Sequence, residues 1–152
     1  MARTWSVYID GAARNNPGLA GIGIYLVCDN AVVGKYGFFV GKKTNNQAEY
    51  LAFLAALFFL TAHNQEHDMV TIYSDSLLLV KQMEGDYKVK HPELFILYTI
   101  ARKLYEKIQA VVQHVPREKN TIADSLANEG IDRKKPLPNR FKEFLKNHDV
   151  II

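Results

Sequence analysis

Thr4-Trp5-Ser6-Val7-Tyr8-Ile9-Asp10-Gly11 is the stretch that decides the fold. Trp5, Val7 and Ile9 alternate with Ser6, Tyr8 and Asp10, the period-two pattern of a strand with one apolar face. Gly11 is expected to end it. The alternation follows Met1-Ala2-Arg3 directly, so the opening reads as a strand rather than a signal peptide. Beyond it, Arg14-Asn15-Asn16-Pro17-Gly18 has turn composition. Ala20 to Val27 and Val33 to Val40 read as two further strands, with Asp29-Asn30 as the tight turn between them. Three such segments in succession predict an antiparallel meander.

The remaining pattern is helical with two strands inserted. Asn46 to Thr61 predicts a helix that is apolar on nearly every face, hence one covered on most sides. Val70 to Ser74 is a short buried strand. Asp75 to Met83 is a helix stopped by Gly85. Pro92 to Lys107 is a helix with proline in its first turn. Ala110 to Val115 is a fifth strand, and Thr121 to Gly130 a helix with a glycine stop. Arg133-Lys134-Lys135-Pro136-Leu137-Pro138 is a basic linker, after which Phe141, Phe144 and Leu145 mark one face of a short terminal helix. The expected order, β-β-β-α-β-α-α-β-α-α, is an α/β layered domain around a mixed five-stranded sheet.

Composition narrows the function classes. The chain has 152 residues, 48% hydrophobic and 23% charged, an ordinary globular balance for one domain. Its net charge of +3 permits nucleic-acid binding without demanding it. A lone cysteine, Cys28, excludes an intramolecular disulfide and a cysteine-based zinc site, and it fits a reducing compartment such as the cytoplasm. The longest apolar run, Tyr50 to Leu60, is too short for a bilayer, which needs roughly 20 residues. No membrane association is expected. His63, His67, His91, His114 and His148 show no metal-ligand spacing. No glycine-rich nucleotide loop supports a metabolic nucleotide enzyme.

Four carboxylates carry the chemistry, and each also has a structural explanation. Asp10 precedes a glycine, as turn residues do. Asn46-Gln47-Ala48-Glu49 matches a capping box, in which Glu49 would reach back to its own helix start. Asp75 is placed to cap the helix after it. Thr121-Ile122-Ala123-Asp124 repeats the capping pattern. Together they suggest more: two lie at strand ends and two in first turns of helices, positions that a layered sheet can bring to one rim. Four carboxylates at one rim repel unless cations sit among them, and all-oxygen ligands suit Mg²⁺ or Mn²⁺.

Tyr8-Ile9-Asp10-Gly11-Ala12-Ala13-Arg14-Asn15-Asn16-Pro17-Gly18 resembles the opening motif of the type 1 ribonucleases H. Thr44-Asn45-Asn46-Gln47-Ala48-Glu49 resembles their second motif, Tyr73-Ser74-Asp75-Ser76 the third, and His114-Val115-Pro116-Arg117-Glu118-Lys119-Asn120 with Ala123-Asp124 and Leu126-Ala127 the last. The four stand in family order and spacing from Thr4 to about Gly130. The resemblance implies a ribonuclease H-like sheet, three antiparallel strands then two parallel, with helices on both faces. It implies a catalytic domain over residues 1–130. Residues 131–152 read as a basic linker and short helix that extend the same domain.

The resemblance also implies an activity: endonucleolytic hydrolysis of the RNA strand of an RNA/DNA hybrid, by a monomer, leaving 5′-phosphate and 3′-hydroxyl ends. Two Mg²⁺ or Mn²⁺ ions would share Asp10, with Glu49 and Asp75 completing one site and Asp124 the other. Recognition would fall on the RNA 2′-hydroxyl in the wide minor groove. Asn16, Asn45 and Asn46 are the candidate contacts, since amides both donate and accept. Thr44 stands where relatives hold a phosphate of the DNA strand. The alternative for these residues is turn and cap chemistry.

Three departures from the family pattern stand out. Leu77 follows Ser76 where many relatives carry a glutamine that touches the minor groove. Pro116-Arg117-Glu118-Lys119 replaces a histidine-bearing loop, and Arg117 is its candidate stand-in, expected on a loop between the fifth strand and the Asp124 helix. Glu84 to Glu93 is too short for the extra basic helix some relatives use to grip the hybrid, and no separate hybrid-binding domain is seen. Lys81, Lys88, Lys90, Arg133, Lys134 and Lys135 are left as phosphate contacts or as a solvated face. Two other functions share the fold: a binding module that has lost catalysis, which would usually lack a carboxylate, and another nuclease or strand transferase, against which the Thr44-Asn45-Asn46 string argues.

Overall fold

The structure is a computed structural model that describes residues 2–63 and 66–152. Five strands form one sheet: β1 (Thr4–Arg14), β2 (Gly18–Cys28), β3 (Ala31–Lys43), β4 (Met69–Ser74) and β5 (Val111–His114). Their spatial order is β3-β2-β1-β4-β5. β1, β2 and β3 pair antiparallel, and β4 and β5 add in parallel to the other edge of β1. The α-helices are α1 (Asn45–His63), α2 (Leu77–Met83), α3 (Pro92–Ile108), α4 (Thr121–Asp132) and α5 (Asn139–Asn147). The mixed five-stranded sheet read from the sequence is therefore present, meander included.

Side-chain alternation decides which face each helix covers. Trp5, Val7 and Ile9 of β1 are buried. They lie in one core with Val70 and Ile72 of β4 and the apolar run Tyr50 to Leu57 of α1. α1 is thus covered by the sheet on one side and by α3 on another. On the opposite face α4 lies across β2, β3 and β1. α5 returns to the first face, where Phe141 meets Phe58 at 5.3 Å between ring centres and Leu145 is buried. The basic linker is pinned on its way: Phe39 N–H donates to the Lys135 carbonyl at 2.7 Å, and Lys135 Nζ reaches Glu129 Oε1 at 2.9 Å.

Several boundaries differ from those expected. Gly11 does not end β1. The strand runs on to Arg14, paired with β2 through Gly11–Ile22 to Arg14–Leu19. The glycine serves close approach instead, because a β-carbon there would lie 2.2 Å from the Ala48 carbonyl carbon of α1. Gly23, the cross-strand partner of Asp10, does the same on the other face, where a β-carbon would lie 2.1 Å from the Ala123 oxygen of α4. Gly130 is not a stop either; α4 continues to Asp132, and the glycine lies against the Phe38 backbone. β2 and β3 are longer at both ends than the apolar pattern suggested, because backbone pairing continues past the buried residues. The helix expected from Asp75 begins at Leu77, with Ser76 as its cap.

The two helices that carry Glu49 and Asp124 are thus seated on the sheet through glycines beside Asp10. Gly23→Ala is expected to lower the unfolding free energy by about 1–3 kcal/mol, the usual range for overpacking. A urea titration reads it as a lower midpoint at an unchanged slope. An unchanged midpoint would mean that α4 is not seated on Gly23.

Candidate active site

Asp10, Glu49 and Asp75 come together at the rim of the sheet, with carboxylate oxygens all within 4.8 Å of one another. Asp10 comes from the middle of β1, Glu49 from the second turn of α1, and Asp75 from the residue just past β4. Asp124, from the first turn of α4, stands beside this group, close enough to Asp10 to raise its carboxyl. Asp10 and Glu49 are 5% and 9% exposed.

The capping roles open to Glu49 and Asp75 are filled by other residues. At the start of α1 the capping box is Thr44 with Gln47, two residues earlier than expected. Gln47 N–H donates to Thr44 Oγ1 at 3.1 Å, and Thr44 N–H donates to Gln47 Oε1 at 2.9 Å. Glu49 turns away from its own helix start and accepts a hydrogen bond from the Gly11 N–H at 2.7 Å. Asp75 is likewise released, since Ser76 accepts from the Leu79 N–H at 3.2 Å. Asn120 stands at the cap position of α4 without a side-chain cap bond.

Burial sets the electrostatics. It is the largest influence on Asp10, followed by the charges of Glu49 and Asp75 and then by contact with Asp124; together they push this carboxyl up to about 9. Glu49 is pushed up to about 8 by burial and by Asp75, against the opposing pull of the Gly11 N–H and of the Arg117 guanidinium. The protons involved belong to the group rather than to single residues. A buried cluster that resists ionisation in this way, with only oxygen donors, fits a hard divalent cation, whose charge would restore the ionised form.

Asn120 was missed as a site residue, although its motif was recognised. It is 2% exposed, and its Nδ2 donates to the Ile9 carbonyl at 2.8 Å and to Asp75 Oδ2 at 3.3 Å. Its backbone carbonyl accepts from the Asp124 N–H at 3.1 Å. Its side chain thus ties β1 to Asp75, and its backbone opens the helix of Asp124. A buried amide at a cap position without a cap bond is visible only in three dimensions.

The other candidates divide. Asn16 Oδ1 accepts from the Asn45 N–H at 3.0 Å, and Asn45 Oδ1 accepts from the Ala13 N–H at 2.9 Å. These bonds hold both exposed amides at the junction of β1 and α1. Asn46 is exposed on the first turn of α1 and is not its cap. Arg117 is exposed on a 3-10 turn, Arg117–Lys119, and not on an irregular loop. Leu77 is exposed at the first position of α2. Among the lysines and arginines, Lys81 is within 4 Å of Glu84 and Asp86, and Arg133 and Lys135 both meet Glu129. Lys134 lies over the Phe39 ring. Lys88 and Lys90 are exposed beyond α2.

Raised carboxyls have a definite sign in stability. The folded chain holds protons that the unfolded chain releases near pH 4, so metal-free stability should fall as pH rises from about 4 toward 9. Asp10→Asn should remove part of that fall and raise the metal-free melting temperature at pH 8. Melting curves in EDTA across that range check it; a parent stability that rises with pH would contradict it.

Comparison with known proteins places this geometry. The family described as "Reverse transcriptase-like" matches residues 8–130. A protein named ribonuclease HI from Halobacterium salinarum is 41% identical, covering 82% of this chain and 63% of its own length. A bifunctional protein of Mycobacterium tuberculosis is 38% identical over 81% of this chain and 34% of its own. This chain therefore spans less than two thirds of those relatives. Among solved structures, the RNase H1 of Halobacterium salinarum superposes with a TM-score of 0.80 at 39% identity, over 86% of this chain and 98% of that one. LC11-RNase H1, solved in complex with an RNA/DNA hybrid, gives 0.78 at 37% identity, over 85% and 97%. In fold, motif order and sequence, the chain belongs to the type 1 ribonuclease H family.

Proposed function

We propose that this chain is a metal-dependent endoribonuclease that hydrolyses the RNA strand of RNA/DNA hybrids. The observation that carries the reading is the carboxylate group at the sheet rim, two of whose members are buried and raised while none is used as a helix cap. That a similar chain was solved in complex with an RNA/DNA hybrid supports the substrate. The presence of all four carboxylates favours an enzyme over a binding module that has lost catalysis.

Asp10, Glu49 and Asp75 would hold one divalent cation, Mg²⁺ or Mn²⁺, and Asp10 with Asp124 a second. When bound, such ions activate a water as nucleophile and stabilise charge on the leaving oxygen, which yields 5′-phosphate and 3′-hydroxyl ends. The chain's own residues position the substrate. Asn16 and Asn45 have their oxygens engaged with backbone N–H groups, which leaves both amide NH₂ groups to donate to a 2′-hydroxyl. Asn46 offers a third amide beside them. Thr44 accepts from Gln47 N–H, so its hydroxyl proton is left to donate to a phosphate of the DNA strand. Asn120 holds Asp75 in place.

Arg117 is close enough for its charge to pull Glu49 down. An arginine cannot shuttle protons near neutral pH, but its fork can bind a phosphate oxygen as negative charge grows there. Lys88 and Lys90 supply salt-sensitive phosphate contacts. Residues 1–130 form the catalytic part, and 131–152 brace α1 from its far side. The site draws on one chain, which supports action as a monomer. The single cysteine supports a reducing compartment such as the cytoplasm.

The experiment is a cleavage assay on labelled RNA/DNA, RNA/RNA and DNA/DNA duplexes with Mg²⁺, Mn²⁺ or EDTA. Asp10→Asn should abolish hybrid cleavage and leave hybrid binding largely intact. Arg117→Ala should lower kcat more than it raises KM, by less than loss of a carboxylate, and Arg117→Lys should restore part of it. Robust cutting in EDTA, or equal rates on DNA and hybrid duplexes, would overturn the reading.

A further inference from the structure

The sheet face that carries α4 is only partly covered by it. Beyond the N-terminus of that helix, a row of side chains crosses the sheet in register. Tyr25 of β2 pairs with Tyr8 of β1, which pairs with Tyr73 of β4; Lys35 of β3 and Gln113 of β5 stand at the two ends. Tyr8 and Tyr73 stack at 4.7 Å between ring centres, and Tyr25 adjoins Tyr8 at 5.9 Å. All three rings are half-buried. None of the three hydroxyls makes a hydrogen bond among the described residues. Lys35 Nζ lies 5.8 Å from the centre of the Tyr25 ring.

A cleft of about 370 Å³ opens beside this row. Tyr8, Tyr25 and Ser6 of the sheet line it, as do Lys119 of the turn before α4 and Thr121 and Ile122 of the first turn of α4. Its size lies at the lower end of small-molecule sites. It also adjoins the carboxylate group from behind, because Asn120 lines the cleft and bonds to Asp75. Tyr8 is two residues from Asp10 on the same face of β1, whereas Val7 and Ile9 point into the core.

Simple sheet stability explains tyrosines paired across strands. It does not explain a cleft beside the row, with Lys119 in its lining and Lys35 over the Tyr25 ring. Flat aromatic rings bind unpaired bases through their faces, and lysines beside them hold the phosphates. Adjacent central strands that present aromatic rings on an open sheet face are an established way to take single-stranded nucleic acid. Lys35 and Lys119 are exposed and have no ion-pair partner among the described residues. Both are cationic, which favours a polyanion over an apolar protein segment.

We propose that this face is a second nucleic-acid contact, in which the cleft takes one unpaired nucleotide of a single strand, its base on Tyr8 and Tyr25 and its phosphate at Lys119. The contact goes beyond the cleavage reading and does not require it. On a hybrid with an unpaired extension, it would hold the extension behind the carboxylate group while the duplex lies across the rim.

The test uses fluorescence anisotropy with a labelled single-stranded RNA 12-mer, in EDTA, on the full chain and on Tyr25→Leu and Lys119→Gln, each checked for folding by circular dichroism. The contact predicts that each substitution weakens single-strand binding by roughly tenfold, the scale of one stacked base or one lost phosphate contact. Tyr25→Leu should leave the cleavage rate on a blunt hybrid unchanged and abolish any lowering of KM by an unpaired RNA extension. Single-strand affinities equal to that of the parent would overturn the proposal. So would a dimer, seen by sedimentation, that Tyr25→Leu dissociates, since the face would then belong to a second copy. If the blunt hybrid is never cut while the binding losses appear, the cleavage reading fails and this contact stands.

Discussion

Mutual repulsion among Asp10, Glu49 and Asp75 is the constraint on which the rest of the structure depends. Their oxygens lie within 4.8 Å of one another, and two of the three are buried. Such a group costs stability unless it is protonated or shares a cation. The fold supplies rigid supports on every side. α1 is held by a largely apolar core, and Gly11 lets it sit against β1 so that Glu49 meets the Gly11 N–H. Gly23 does the same for α4 and Asp124. Asn120 fixes Asp75 from below. Residues that look incidental in the sequence, two glycines and one asparagine, are what permit four acids to share one rim.

The capping pattern separates chemistry from architecture. In the sequence, Glu49 and Asp75 fit the templates by which acids stabilise helix starts. In this chain Thr44 with Gln47 and Ser76 satisfy those helix ends. The acids are therefore redundant as caps and are left to face each other. An acid that caps no helix, kept in a costly environment, is evidence for function of a kind that exposure alone does not give.

Much of this was legible in the residues. The alternation of Trp5, Val7 and Ile9 and the all-round apolarity of Tyr50 to Leu60 placed the sheet and its central helix. The four motifs named the carboxylates in order. What stayed hidden depended on contacts distant in sequence. Gly11 and Gly130 looked like stops because glycine often ends elements, whereas here the missing β-carbon makes room for a neighbouring backbone. The capping box was read two residues late because Asn46 and Glu49 fit the same template as Thr44 and Gln47. The role of Asn120 and the tyrosine row carry no local signal: one acts across β1, Asp75 and α4, and the other exists only once three strands are in register.

The central claim is that the buried acids form a cation site whose strain the ion relieves. Its most direct measurement is the melting temperature at pH 8, in EDTA and over a titration with Mn²⁺, for the parent and for Asp10→Asn. A ligand at 100 times its dissociation constant stabilises the folded state by about 2.7 kcal/mol. The account predicts a clear rise for the parent with Mn²⁺ and a much smaller one for Asp10→Asn, whose metal-free form starts higher. A parent melting temperature that does not move with Mn²⁺, or that moves equally in both chains, would contradict it.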